Sequence, residues 1–127
     1  MATSILIVDD EATVRVILRR WLERSGCEVR EASSATEALE QMLKQPAPIV
    51  FSDIRMPGHD GLWLVERVNE RWPGTAIVMA SGADDLHTVL NARKKGVVDY
   101  IPKPFGRELV MQALERAKVA LEQTPQA

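Results

Sequence analysis

Five short apolar runs, spaced by stretches with helical periodicity, constrain this 127-residue chain more than any other feature. The runs are Ser4–Val8, Glu28–Ala32, Ile49–Ser52, Ala76–Ala80 and Val97–Ile101. Each is short, partly β-branched and bounded by polar or turn residues, which reads as a strand. Parallel neighbours in a sheet need a crossover, and a helix is the usual way to supply it. Strict alternation of strand and helix therefore predicts a parallel sheet with helices on both faces.

The helical stretches have recognisable ends. The first carries Val14, Leu18, Trp21 and Leu22 on one face and closes at Gly26, as helices commonly do. The second opens on Ser34-Ala35-Thr36-Glu37, a capping-box pattern, places Ala38, Leu39, Met42 and Leu43 on one side, and ends before Pro46. The third runs from about Gly61 to Trp72 with Leu62, Val65, Val68 and Trp72 inward. The fourth covers about Asp84 to Lys95 and stops at Gly96. The last spans Arg107 to Leu121 with Leu109, Ala113, Ala117 and Leu121 buried, and Glu122–Ala127 follows as a frayed tail or the start of a linker. Chain length suits one domain over residues 1–127.

The first and third strands are continuously apolar, so both should be central; the second, Cys27-Glu28-Val29-Arg30-Glu31, alternates and should be an edge. The fold class that follows is α/β, a doubly wound five-stranded parallel sheet of order 2-1-3-4-5 (flavodoxin-like). In such a sheet a ligand belongs beyond the carboxyl ends of strands one and three, where the winding reverses.

Asp9 and Asp10 follow strand one, Asp53 follows strand three, Ser81 follows strand four, and Lys103 comes just after strand five. Singly, each has a plainer reading. Asp10 and Glu11 would suit a helix start, Ser81 a turn or N-cap, Lys103 a solvated surface charge, and Tyr100 a half-buried strand aromatic. Their convergence on one end of one sheet is what argues for a site. Three carboxylates brought within a few ångströms repel; one pair about 4 Å apart costs roughly 4 kcal/mol at an effective dielectric near 20. The cluster must bind a cation or take up protons. Few, hard oxygen donors open to solvent favour Mg²⁺ with several waters.

Composition removes other classes. A net charge of −2 and no basic block longer than Arg93-Lys94-Lys95 leave no electrostatic footprint for direct nucleic-acid binding. The single cysteine, Cys27, excludes a disulfide framework and argues against a cysteine zinc site. No segment reaches the length of a membrane span, and the start lacks the pattern of a signal peptide, so a cytoplasmic location is expected.

Four stretches together resemble the receiver domains of two-component response regulators: Ile5-Leu6-Ile7-Val8-Asp9-Asp10-Glu11, Asp53-Ile54-Arg55-Met56-Pro57-Gly58-His59-Asp60-Gly61, Met79-Ala80-Ser81, and Asp99-Tyr100-Ile101-Pro102-Lys103-Pro104-Phe105. The resemblance covers nearly the whole chain. It implies that Asp53 is the phosphoacceptor, that Asp10, Asp53 and the Arg55 carbonyl bind Mg²⁺ directly, and that Asp9 helps through water. It further implies that Lys103 pairs with the acceptor and then the phosphoryl group, that the Ser81 hydroxyl binds a phosphoryl oxygen, and that the Lys103–Pro104 bond is cis. A carboxylate is a weak nucleophile, so positioning and charge neutralisation must carry the transfer. Hydrolysis of the acyl phosphate would make the mark temporary; apart from this self-catalysed chemistry the chain is not expected to be an enzyme.

The implied partners are a sensor histidine kinase or phosphotransfer protein and an output domain or downstream protein, with a phosphorylation-dependent homodimer as a further possibility. Ser81 moving toward the phosphoryl group would let the Tyr100 ring turn in from solvent and remodel the face made by the fourth helix, fifth strand and fifth helix. Departures from the family pattern are Ser81 in place of the commoner threonine, Gly82 in place of alanine, and Val98 where winged-helix members often carry an acid. Arg55 and Ala83 stand where phosphate lifetime is tuned. His59 and His87 read as surface residues, Trp21 and Trp72 as core, and Trp63 as partly exposed. Two competing readings are a phosphate-independent pseudo-receiver, disfavoured by the intact polar set, and a haloacid-dehalogenase-type phosphatase, disfavoured because its Asp-x-Asp pattern after strand one is missing.

Overall fold

In the computed structural model, residues 2–82 and 96–123 are described. Strands β1 (Ser4–Val8), β2 (Glu28–Ala32), β3 (Ile49–Asp53), β4 (Ala76–Ser81) and β5 (Asp99–Pro102) form one sheet of order β2-β1-β3-β4-β5. Every described pairing is parallel. Helices α1 (Ala12–Arg24), α2 (Ala35–Lys44), α3 (Gly61–Arg71) and α4 (Arg107–Gln123) supply the cover. The expected stretch 84–95 and the tail residues 124–127 lie outside the described residues.

Strand periodicity divides the core in two. In β1, Leu6 and Val8 face α2 and α3, packing with Ala38, Met42, Leu64, Val65 and Val68. Ile5 and Ile7 face α1 and α4, packing with Leu18, Leu22, Val110, Ala113, Leu114 and Ala117. The central strands β3 and β4 are buried along their full lengths, as expected where helices cover both faces. In edge strand β2 only Val29 and Ala32 are buried, while Glu28, Arg30 and Glu31 reach solvent.

Local chemistry sets the helix starts. The Ser34 hydroxyl accepts from the Glu37 N–H at 3.1 Å, and Glu37 reaches back to the Ser33 N–H at 3.2 Å. The Asp60 carboxylate accepts from the Trp63 N–H at 2.9 Å and caps α3; both are ordinary side-chain solutions to unpaired first-turn donors.

Some inward faces differ from expectation. In α4 the buried set is Val110, Ala113, Leu114 and Ala117, whereas Leu109 is 38% exposed and Leu121 only partly buried. Ala113 and Ala117 face inward as expected, and Val110 and Leu114 rather than Leu109 and Leu121 flank them on the sheet-facing side. In α2, Leu43 is 51% exposed while Met42 is fully buried. In α3, Leu64 is buried beside Val65 and Val68, and Leu62 and Trp72 are only partly buried. Strand β5 starts at Asp99, two residues later than the apolar run suggests; Val97 and Val98 lead in, with the Val98 N–H donating to the Ile77 carbonyl at 2.8 Å. Trp21 is half-buried, edge-on to Phe105 at 6.4 Å. Among the described residues no helix is long and apolar enough to cross a membrane.

Candidate functional site

The carboxyl ends of β1, β3, β4 and β5 deliver their polar residues to one place. Strand β1 ends at Val8, so Asp9 and Asp10 sit in the turn before α1. Asp9 is 2% exposed, Asp53 6% and Ser81 2%, while Asp10 and Glu11 stand in solvent. Ligand oxygens of Asp9, Asp10, Glu11 and Asp53 all lie within 4.8 Å of one another. Across them comes Lys103, whose Nζ is 2.9 Å from Asp9 Oδ2, 3.1 Å from Asp53 Oδ2 and 3.8 Å from Glu11 Oε1. The Lys103–Pro104 bond is cis.

Three of these four carboxylates thus share the Lys103 ammonium, and the balance of charge is negative. Burial pushes the Asp53 carboxyl above its usual range, and the nearby Asp9 charge acts in the same direction; the Lys103 ammonium and the Arg55 backbone N–H oppose them. Burial works against the Lys103 charge, yet its hydrogen bonds to Asp9 and Asp53 carry its pKa above the ordinary lysine value. The Asp53 shift records burial first, and the Lys103 shift the carboxylates that surround it. An all-oxygen donor set with exposed members fits a small hard cation that keeps part of its water shell. Nitrogen- or sulfur-seeking metals have no such donors in this cluster.

A cavity of about 360 Å³ opens above the cluster, lined by Asp10, Glu11, Asp53, Arg55, Ser81, Gly82 and Lys103. Every residue that the sequence assigns to the site lines it or touches it, except Tyr100. Asp9 lies beneath, bonded to Lys103. Glu11 is the member that sequence reasoning left out: read only as a helix-start acid, it stands one residue past Asp10, where the turn carries its carboxylate back over the site. Its N–H donates to Asp9 Oδ1 at 2.9 Å, which fixes that turn.

Tyr100 is half-buried. Its hydroxyl donates to the Ser81 carbonyl at 3.1 Å and the Gly82 carbonyl at 3.2 Å, tying β5 to the end of β4. The Lys103 N–H also donates to the Ser81 carbonyl, at 2.7 Å. His59 stays out of the site: its ring stacks on Trp63 at 3.9 Å, and the Arg67 guanidinium lies 4.3 Å from the same indole. His87 and Ala83 lie outside the described residues.

The family profile described as the response regulator receiver domain matches residues 5–115. The chain belongs to the receiver family. Its relatives include the DNA-binding transcriptional regulator NtrC of Escherichia coli K12, 33% identical over 87% of this chain and 24% of NtrC. They also include the C4-dicarboxylate transport transcriptional regulatory protein DctD of Rhizobium meliloti, 36% identical over 92% of this chain and 25% of DctD. The receiver thus spans about a quarter of the length of these curated relatives. Among solved structures, the receiver domain of NtrX from Brucella abortus superposes with a TM-score of 0.86 at 34% identity, covering 94% of this chain and 99% of that one. A CheY-like receiver protein from Methanospirillum hungatei superposes with a TM-score of 0.90 at 26% identity, covering 98% of this chain and all of the other. The two-component receiver role and the 2-1-3-4-5 sheet expected from the sequence both hold.

Proposed function

We propose that this receiver accepts a phosphoryl group on Asp53 from a phosphohistidine donor, either a sensor histidine kinase or a phosphotransfer protein. The observation that carries the reading is Lys103 Nζ, held 3.1 Å from the buried Asp53 carboxylate, which belongs to a four-carboxylate cluster and lines an open cavity. In the transfer an Asp53 oxygen bonds to phosphorus, the phosphorus–nitrogen bond of the donor breaks, and the freed imidazole takes up a proton. Lys103 follows the charge, passing from the free carboxylate to the acyl phosphate. The buried Ser81 hydroxyl would donate to a phosphoryl oxygen from the far wall. Mg²⁺ held by Asp10, Asp53 and the Arg55 carbonyl, with Asp9 behind, would neutralise phosphoryl charge. Asp9 suits that outer role because both its carboxylate oxygens already accept hydrogen bonds.

Later hydrolysis returns Asp53 and inorganic phosphate, so the chain catalyses only its own modification and release. We further infer that the signal leaves by the strand β4–β5 edge, through Ser81 and Tyr100, to an output domain or downstream partner; a phosphorylation-dependent homodimer is one form this could take. Exposing the chain to acetyl phosphate and Mg²⁺, then reducing with borohydride, tests the assignment. Borohydride converts an aspartyl phosphate to homoserine, and peptide mass spectrometry should find homoserine at position 53. Homoserine at position 9 or 10 instead, or none with any donor, would sink it.

A further inference from the structure

Asp9 is held at each of its polar atoms. Its N–H donates to the Ala32 carbonyl at 3.1 Å, Oδ1 accepts from the Glu11 N–H at 2.9 Å, and Oδ2 accepts from Lys103 at 2.9 Å. The fourth bond comes from Arg15, whose Nη1 donates to the Asp9 carbonyl at 2.7 Å. Arg15 Nε in turn lies 3.1 Å from Glu31 Oε1, and its side chain is 18% exposed. Glu31 is itself fixed: Arg19 Nη1 holds its Oε2 at 2.6 Å, and Gln41 Nε2 donates to its carbonyl at 2.6 Å. Glu31 directly precedes Ala32, so the bonds close a ring from Asp9 through Arg15 and Glu31 back to the Ala32 carbonyl.

We propose that Arg15 is a positioning residue for the cation site. Its planar fork holds the Asp9 carbonyl with one arm and Glu31 with the other, a two-point grip that a lysine ammonium cannot reproduce. Gripping that carbonyl fixes the Asp9–Asp10 peptide and hence the direction in which the Asp10 carboxylate leaves the turn. The inference deepens the receiver reading and rests on it.

Simple electrostatics predicts the opposite sign. Removing a guanidinium beside four carboxylates leaves the site more negative and should tighten cation binding. A brace that only joins α1 to β2 would lower the melting temperature and leave cation affinity where it was. Calorimetric titration of Mg²⁺ into the full chain at neutral pH and low salt, well below each melting midpoint, separates these accounts. Arg15→Gln should bind Mg²⁺ on the order of tenfold more weakly, the usual scale for groups that orient a ligand. Arg15→Lys keeps the charge and loses the fork, so it should be weakened severalfold; it carries the test alone if Arg15→Gln fails to fold. Unchanged or tighter Mg²⁺ binding in either folded variant overturns the proposal. Native protein that binds no Mg²⁺ would instead overturn the receiver reading together with it.

Discussion

Two glycines show how differently the two sides of the site are built. A Cβ placed on Gly61, at the start of α3, would stand 2.3 Å from the Asp53 carbonyl oxygen and 2.9 Å from Ile54 Cα. A Cβ placed on Gly82, just past β4, meets nothing within 4 Å among the described residues. On the β1–β3 side the backbone itself is the constraint. The Gly61 N–H donates to the Ile54 carbonyl at 2.7 Å, and Asp9 is pinned from four directions. On the β4–β5 side the Ser81–Gly82 segment is held by the Tyr100 hydroxyl and the Lys103 N–H. One side keeps the carboxylates in register, and the other leaves open space around Gly82 among the described residues.

The largest effect should come from Gly61→Ala. No flexible side-chain end can yield to the new methyl where backbone atoms block it, so the turn must move, at a cost of about 3 kcal/mol in denaturant unfolding. Gly82→Ala should stay within about 0.5 kcal/mol. Equal costs at the two positions would break the contrast.

Lys103→Met removes the ammonium that faces both buried carboxylates. Breaking such a pair should cost about 2 kcal/mol at neutral pH, less than a fully buried pair because Asp53 can take up a proton instead. The loss should shrink as the pH falls. Phosphoryl uptake should disappear while Mg²⁺ binding persists or tightens, since a competing cation has gone; loss of Mg²⁺ binding would show that Lys103 shapes the cation site as well.

Asp53→Asn separates charge from shape. Because the folded-state pKa of Asp53 is raised by burial, the folded chain holds its proton to a higher pH than the unfolded chain does. The stability this lends is fully present below the ordinary carboxylate pKa and is lost as the pH rises through the raised folded value. In metal-free buffer the Asn variant should therefore melt above the native protein at neutral pH, with the gap closing in acid. A variant that melts lower at neutral pH would show that the Lys103 bond outweighs the burial of the charge.

A smaller loss than at Gly61 or Lys103 belongs to Tyr100→Phe, which removes one hydroxyl shared between two carbonyls. About 1 kcal/mol should be lost, with Mg²⁺ affinity unchanged, since the tie lies on the β4–β5 side. A drop in Mg²⁺ affinity would mean the two sides are coupled before phosphorylation.

Much of this was legible in the residues. Strands β1 and β2 were bounded as observed, β1 as a short apolar run closed by Asp9 and β2 as a segment lying between Gly26 and the Ser33-Ser34 pair, and the Ser34 cap was read from its spacing to Glu37. The switch-point rule brought Asp9, Asp10, Asp53, Ser81 and Lys103 together without any contact information. What escaped was fine phase and return geometry. Leu109 and Val110 are both apolar neighbours, and only packing against the sheet decides which turns inward. Glu11 has the ordinary look of a helix-start acid, and its return over the site depends on the turn that Asp9 Oδ1 stabilises. Arg15 belongs to the site through a backbone carbonyl, which no side-chain pattern announces. The ties of the Tyr100 hydroxyl likewise run to backbone carbonyls, those of Ser81 and Gly82.

The central claim is that Asp53 takes up a phosphoryl group in a cation-dependent reaction. Intact-mass analysis of the native chain and Asp53→Ala, each incubated with acetyl phosphate with and without Mg²⁺, tests it most directly. A gain of one phosphoryl group in the native chain, dependent on Mg²⁺ and missing from the variant, is the predicted result. An equal gain in Asp53→Ala, or no gain in the native chain with acetyl phosphate or a phosphohistidine donor, would contradict it and leave a phosphate-independent interaction module.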